Sequence, residues 1–344
     1  RTGHARNVRV WPEAAYGWAP KDLKYRWHWT FPIHVSEHKK HAVYVGSQYV
    51  HRSTDLGQSW EVISPDLTLN LKSHQQNSGG IAIDNLMTFD GSVLFAINES
   101  PLKQGLIWVG SNDGQVHLTR NGGRTWINVS GNINMPPWGT ISNIEASRFD
   151  PKTAYISVDF HQMGDFDPYI YKTTDYGKSW KKISGNIPKS YSSFVHVVKE
   201  DPKQESVLYA GTDNSVYVSV DGGDHWTKIN SNLPPAPVYW ITIQEHFDDM
   251  VIGTYGRGFY ILDDISPFRE MANSNQNEVH FMPIQDAYRF QQIQSMKNDG
   301  TSLIRGQNPS YGANIDFFLP DTNNQEVTIS IQDLSGNEIR KITP

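Results

Sequence analysis

Apolar and polar positions alternate in short runs from about residue 29 to 262, and little of this stretch carries the 3.6-residue period of a helix. The runs recur in sets. An opening run appears five times: "WTFPIHVS" (29–36), "VLFAINES" (93–100), "ISNIEASRF" (141–149), "SFVHVVKE" (193–200) and "VYWITIQE" (238–245). A second, with a small-residue break, follows each: "VYVGSQ", "IWVGSND", "AYISVDF", "LYAGTDN" and "VIGTYGRG". In four sets a third run leads into a fixed motif. These motifs are "STDLGQSW" (53–60), "TRNGGRTW" (119–126), "TTDYGKSW" (173–180) and "SVDGGDHW" (219–226). A fourth run follows the Trp. Gly, Asn, Asp, Ser and Pro bound the runs, as expected for strands joined by turns.

Four-stranded antiparallel units repeated at this scale predict an all-β chain folded as a β-propeller. A single blade cannot bury both faces, whereas neighbours in a stack bury each other. The motif falls in the turn between third and fourth strands. Its Asp accepts hydrogen bonds from the backbone of its own turn, its Gly supplies positive φ, and its Trp opens the fourth strand with a large buried surface. Asn121 keeps an acceptor oxygen without the charge. Asp55, Asn121, Asp175 and Asp221 are therefore assigned a structural role.

These motifs are Asp-boxes, or BNR repeats, and the chain resembles the secreted bacterial proteins called sortilin-like or "glycosyl hydrolase, BNR repeat". The resemblance rests on the four boxes and on "GWAPKDLKYRWHWTFPI" (17–33), "WGTISNIEASRFDP" (138–151), "DPYIYKTTDYGKSW" (167–180) and "YGRGFYILDDISP" (255–267), and covers nearly the whole chain. It implies a propeller of about seven blades, of which five are visible here. It also implies an extracytoplasmic location: secreted, periplasmic or at the cell surface. The resemblance further implies that ligands bind away from the boxes. No cysteine-rich module like that of sortilin receptors can follow within this chain, which has no cysteine.

The absence of cysteine excludes disulfides, thiol catalysis and thiolate metal sites. The net charge of −6 gives no basic footprint for nucleic acid. No apolar run reaches the length of a membrane span. Among the 344 residues no secretory signal stands ahead of the first runs, which predicts a piece of a longer polypeptide that would complete the propeller.

Strands of a blade alternate in direction, so turns between second and third strands lie opposite the boxes, as do links between blades. Three long segments fall there: 12–28, 65–91 and 159–168. Long loops on a rigid scaffold carry function. The loop "DFHQMGDFDP" holds Asp159, His161, Asp165 and Asp167. Its carboxylates suit a hard cation such as Ca²⁺, an acid–base pair, or turns that cap themselves. Glu145 sits in an innermost strand, with Arg26, Arg148 and Arg257 as candidate ion-pair partners. Glu145, Asp165 and Asp167 are the candidate catalytic carboxylates of a glycoside hydrolase, with Asp159 as a further one. Trp18, Arg26, Trp27, Trp138, His161, Tyr255 and Arg257 are candidate ligand-binding residues for a glycan or extended peptide. A third reading is a surface or assembly scaffold.

"NVRVWPE" (7–13) reads as a fourth strand without its blade. It would end an upstream blade, or it would complete the fifth set and close the ring. Residues 1–268 are read as propeller. Residues 269–344 are read as a linker and the first strands of a β-sandwich, with a hairpin about Ser335-Gly336.

Overall fold

A computed structural model describes residues 3, 5–13, 17–77, 91–230, 232–275, 277–287, 312–320 and 327–343. The chain divides into two compact units, Arg1–Phe268 and Arg269–Pro344. The first is a series of antiparallel sheets in sequence order, the blades of a propeller.

Blade 1 is β1 (Ile33–Val35), β2 (Val43–Gly46), β3 (Val50–Ser53) and β4 (Glu61–Val62). Blade 2 is β5 (Leu94–Glu99), β6 (Ile107–Ser111), β7 (Val116–Thr119) and β8 (Ile127–Asn128). Blade 3 is β9 (Thr140–Ala146), β10 (Ala154–Asp159), β11 (Tyr169–Thr173) and β12 (Lys181–Lys182). Blade 4 is β13 (Val195–Glu200), β14 (Leu208–Thr212), β15 (Val216–Ser219) and β16 (Thr227–Lys228). Blade 5 has three strands, β17 (Val238–Gln244), β18 (Asp249–Thr254) and β19 (Phe259–Leu262). First strands contact in sequence: β1 to β5, β5 to β9, β9 to β13 and β13 to β17.

Fourth strands are shorter than the apolar pattern predicts, only two residues each. In three blades a serine two residues past this strand, Ser64, Ser130 or Ser184, takes over the pairing, while blade 4 has Asn230 there. Ser64 Oγ and Ser130 Oγ accept the N–H of Val50 and Val116, both at 2.8 Å, where a strand carbonyl would otherwise serve. The chain is then free to leave for the next blade.

The boxes are self-contained turns. Asp175 Oδ1 accepts the Ser179 N–H (2.9 Å) and the Thr173 hydroxyl (2.9 Å), while Oδ2 accepts the Ser179 hydroxyl (2.6 Å). Asn121 makes the equivalent bond to Thr125 N–H (3.0 Å) and donates to the Thr125 hydroxyl (2.8 Å). Backbone and hydroxyl donors from Ser59 hold the Asp55 carboxyl down at about 2. At Asp175 burial opposes ionisation, and the donors of Ser179, Thr173 and Lys178 together outweigh it.

Each box also fastens its blade to the one before. Trp126 Nε1 donates to Ile63 O (2.9 Å) and Trp226 Nε1 to Ile183 O (2.6 Å), each carbonyl lying just past the preceding fourth strand. Trp60 Nε1 donates likewise to Val8 O (3.0 Å). Trp180 is the exception. Its buried indole N–H has no partner among the described residues, and its ring meets Trp108 edge-on at 6.0 Å.

Residues 7–13 form no ladder among the described residues and do not join β19, so the ring-closing reading of "NVRVWPE" is not what the structure shows. Val8 nonetheless occupies the position that Ile63 and Ile183 hold at later junctions.

A second joint lies at the ends of first strands. Glu200 is buried and accepts the Arg148 N–H (2.8 Å), the Ser147 hydroxyl (3.0 Å) and the Tyr155 hydroxyl (3.0 Å), all from blade 3. Glu99 takes the Ser36 and Tyr44 hydroxyls of blade 1 in the same way, at 2.5 and 3.3 Å. Both are inter-blade joints.

In the second unit, α1 (Ser266–Asn273), which begins at the end of the first, replaces part of the expected linker. β20 (His280–Phe281) pairs with β21 (Phe317–Phe318), and β22 (Ile329–Gln332) with β23 (Glu338–Ile342) about the turn at Ser335-Gly336. The pairs are separate two-stranded sheets.

Two predictions follow from these joints. Asp175→Asn keeps the acceptor that Asn121 shows to be sufficient and leaves the melting temperature nearly unchanged, whereas Asp175→Ala lowers it by ~2–5 °C in a thermal melt. Burial pushes the Glu200 carboxyl up to about 7 against its three donors. A carboxyl raised on folding contributes stability that is complete below its unfolded value of 4.5 and is lost as pH rises through about 7. Glu200→Gln removes that dependence. Denaturant titrations should show the variant gaining on the parent by on the order of 3 kcal/mol across this window.

Candidate functional site

First strands form the inner wall of the blade array and line a cavity of about 940 Å³. Their exposed side alternates between aromatic and polar groups. Phe95, Tyr239, Trp240 and Tyr255 line it, with Trp29 and Phe31 from the lead into β1. Between them stand His34, Asn98, Asn143, Glu145 and Lys199.

Two of the polar groups tie neighbouring blades together. Asn98 Oδ1 accepts the Ala146 N–H and Asn143 Oδ1 accepts the Val198 N–H, both at 3.3 Å. Lys199 Nζ pairs with Glu145 at 2.7 Å and lies 4.7 Å from the centre of the Trp240 ring. Wall charges are thus matched within the wall. Burial lowers the His28 pKa to about 4 and lowers that of His34 against the pull of Glu99 and Glu37, so both are neutral at pH 7.

At the mouth opposite the boxes, rings form a continuous series across blades 3, 4 and 5. His161 stacks on Phe194 (4.9 Å, 24°). Phe194 meets His196 edge-on (5.1 Å). His196 stacks on Tyr239 (4.0 Å, 22°), which lies 5.5 Å from Tyr255. A carboxylate backs each imidazole: Asp159 meets His161 Nδ1 at 2.7 Å, and Asp213 meets His196 Nε2 at 3.0 Å. The Asp159 hydrogen bond raises the His161 pKa against partial burial. Tyr255 ends the series, 73% exposed.

Residues 114–257, which run from the second half of blade 2 through blades 3 and 4 into blade 5, match the family model Sortilin-Vps10, described as "Sortilin, neurotensin receptor 3". This chain is a β-propeller, and the matched stretch resembles the sortilin-like family. Its fold is similar to that of the GH74 xyloglucanase from Xanthomonas campestris, with a TM-score of 0.50 and 20% identity over 67% of this chain and 36% of that one. An ancestral GH74 enzyme (TM-score 0.49, 18% identity, 70% of this chain and 29% of that one) and a GH74 enzyme from Niastella koreensis (0.48, 13%, 67% and 35%) also match. The chain spans about a third of the length of these structures. At such identities the likeness is one of fold. No curated protein matches.

The structure brings together only some of the residues that the sequence singles out. Glu145, Asp159, His161 and Tyr255 line the cavity. Glu145 is neutralised by Lys199, not by Arg26, Arg148 or Arg257. Arg26 is buried against Asp66 (2.9 Å) and the Ser92 carbonyl (2.9 Å), a fastening between loops. Arg148 lies between Glu37 (3.5 Å) and Glu245 (3.3 Å). Arg257 is exposed in the β18–β19 turn and lies outside the cavity lining.

Asp165 and Asp167 also lie outside that lining. Asp165 accepts the Tyr169 hydroxyl (2.6 Å) and the Asp167 N–H (2.9 Å), and Asp167 pairs with Lys189. The loop carboxylates of Asp159, Asp165 and Asp167 therefore each have a separate partner. No group of three or more metal-ligating side chains is found among the described residues. Trp27 stacks on His51 (5.4 Å) and Trp138 on His74 (4.3 Å), both as packing contacts, while Trp18 is exposed outside the cavity. Of the long inter-blade loop, residues 78–90 lie outside the described residues.

Sequence reasoning missed Phe95, Tyr239, Trp240 and Lys199. The available signal was position: a large or charged side chain at the exposed alternate of an innermost strand faces the channel.

The Asp159–His161 pair gives a direct test. By imidazole NMR, His161 should titrate above the ordinary histidine value of 6.5, and Asp159→Asn should bring it down, since the hydrogen bond that most raises it is then lost and burial is opposed only by the more distant Asp213.

Proposed function

We propose that this chain is an extracytoplasmic carbohydrate-binding propeller that holds a neutral glycan along the wall formed by Tyr239, Trp240 and Tyr255. One observation carries the reading: exposed aromatic faces stand beside polar groups in an open cavity of about 940 Å³. Rigid rings next to a few fixed polar groups are what a ligand site of this size requires. Sugar rings present flat C–H faces to such aromatics and hydroxyls to the polar groups between them. The wall's cations are matched by its own carboxylates, Lys199 by Glu145 and His161 by Asp159, which favours an uncharged ligand.

Binding accounts for the site better than hydrolysis. A glycosidase needs two carboxyl groups across the scissile bond, one held protonated. Here Glu145 is held by Lys199, Asp159 by His161, Glu99 by the Ser36 and Tyr44 hydroxyls, and Glu37 by Arg148. No described helix is long and apolar enough to cross a membrane.

The xyloglucanase among its structural neighbours supplies only the first probe. Titration calorimetry with xyloglucan oligosaccharides, followed by a glycan array, should find a saturable neutral ligand. Tyr239→Ala and Tyr255→Ala should each weaken it ~10-fold, the loss of roughly 1–1.5 kcal/mol of ring contact. Asp165→Ala and Asp167→Ala should leave affinity unchanged. Binding of extended peptides with no glycan bound, or release of reducing ends that Glu145→Gln abolishes, would overturn this reading.

A further inference from the structure

The ring series at the mouth does not end at His161. Phe194, itself buried, is a node: His161 stacks on it at 4.9 Å, His196 meets it edge-on at 5.1 Å, and Phe166 lies 6.1 Å away at 57°. Phe166 in turn meets Tyr191 edge-on at 5.5 Å. Tyr191 is 86% exposed, and both Tyr191 and Phe166 lie outside the cavity lining. Rings thus continue from Tyr239 through His196, Phe194 and Phe166 to Tyr191, with successive centres 4.0 to 6.1 Å apart.

Two connections opposite the boxes carry this extension. The β10–β11 loop, 160–168, holds Phe166, where β6–β7 and β14–β15 turn within 112–115 and 213–215. The β12–β13 connection, 183–194, holds Tyr191. Each is braced by hydrogen bonds. In the loop, the Met163 N–H donates to the Phe160 carbonyl at 2.8 Å and the Gly164 N–H to the His161 carbonyl at 3.0 Å. In the connection, the Ser193 hydroxyl donates to the Pro188 carbonyl at 2.5 Å, and Asn214 Nδ2 donates to the Ser192 hydroxyl at 3.2 Å. A rigid ring held out in water on a braced turn offers contact area at small entropic cost.

The extension is continuous with the cavity and has the same make-up. His161 and Gln162 line the cavity while Phe166 of the same loop lies outside it, so this loop is the rim between them. Charges near Tyr191 are matched as those of the wall are. Lys189 pairs with Asp167, and Lys182 lies 3.8 Å from the centre of the Tyr169 ring. What remains beside Tyr191 is the hydroxyls of Ser190 and Ser192. A ring next to hydroxyls, without an unmatched charge, suits the same uncharged ligand as Tyr239 and Trp240.

We infer that the glycan is a linear neutral polysaccharide, whose chain leaves the cavity over the rim at His161 and continues across Phe166 to a second contact on Tyr191. This rests on the reading of the cavity as a glycan site. One stretch of chain fills the cavity, and Tyr191 takes a sugar farther along. A contact tethered to the first is made at high effective concentration, so a ligand that reaches both binds more tightly than one that only fills the cavity.

The test is an array of neutral glucans, mannans, xylans and xyloglucans, each printed as a series of increasing length and read with graded concentrations of the natively expressed polypeptide. In the series that binds, affinity should rise ~10-fold once the ligand is long enough to leave the cavity. Tyr191→Ala should abolish that rise and leave the shortest bound ligand unaffected, whereas Tyr191→Phe, which keeps the ring, should preserve it. Tyr191 is exposed, so the alanine variant should fold as the parent does, which circular dichroism checks. Tyr239→Ala should weaken ligands of every length. Equal affinity at all lengths, a rise that survives Tyr191→Ala, or self-association of the protein that Tyr191→Ala disrupts would overturn this inference and leave the cavity reading standing. Binding to none of the series would overturn both.

Discussion

The hydrogen bond from one blade to the next, with the indole–carbonyl clasp as its sharpest form, is the interaction on which this array depends. A four-stranded sheet has two apolar faces and no means of burying either alone, so each blade must hold its neighbour in register. Trp126 and Trp226 do this with one hydrogen bond each, from the start of a fourth strand to a carbonyl just past the preceding one. The box behind the Trp keeps the indole aimed. Its Asp or Asn saturates the turn's donors, so the hairpin enters the junction already ordered and owes nothing to its partner. Glu99 and Glu200 repeat the principle nearer the channel, where carboxylates gather hydroxyl and amide donors across the joint.

With much of the fastening made at these points, first strands need only a few further ties on their inner side, such as those of Asn98 and Asn143. Their exposed positions can carry bulk and charge that a core would reject. Lys199, Glu145 and Trp240 form a compact group there, in which an ion pair lies against an aromatic face. The histidines at the mouth are similarly composed: each is oriented by a carboxylate and stacked on a ring of the next blade. The wall is thus ordered before any ligand arrives, which reduces the entropic cost of binding.

Much of this was legible in the sequence. Strand pattern, box position and blade order follow from local turn chemistry, which each repeat states independently. Glu145 was legible as a channel carboxylate because innermost strands can be identified by their place in the repeat. Its partner was not, because Lys199 lies in the next blade and only the inter-blade register brings them together. Asp165 and Asp167 misled for the opposite reason. Their closeness in sequence suggested a shared site, but the loop directs them to Tyr169 and Lys189. Aromatic positions divided likewise: Tyr255, on an exposed turn, faces the cavity, whereas Trp27 and Trp138 are used in packing.

The small residue of each second strand has a geometric consequence of its own. Gly46, Gly110, Ser157 and Gly211 sit where one sheet approaches the next at its inner end, so their size determines how closely successive sheets converge. With almost no side chain there, the inner ends draw in more tightly than the outer ends, and each blade acts as a wedge. The apex of that wedge, one hydrogen atom or one hydroxymethyl group wide, fixes the angle between blades. How closely each blade can approach the next is thereby written into four small residues.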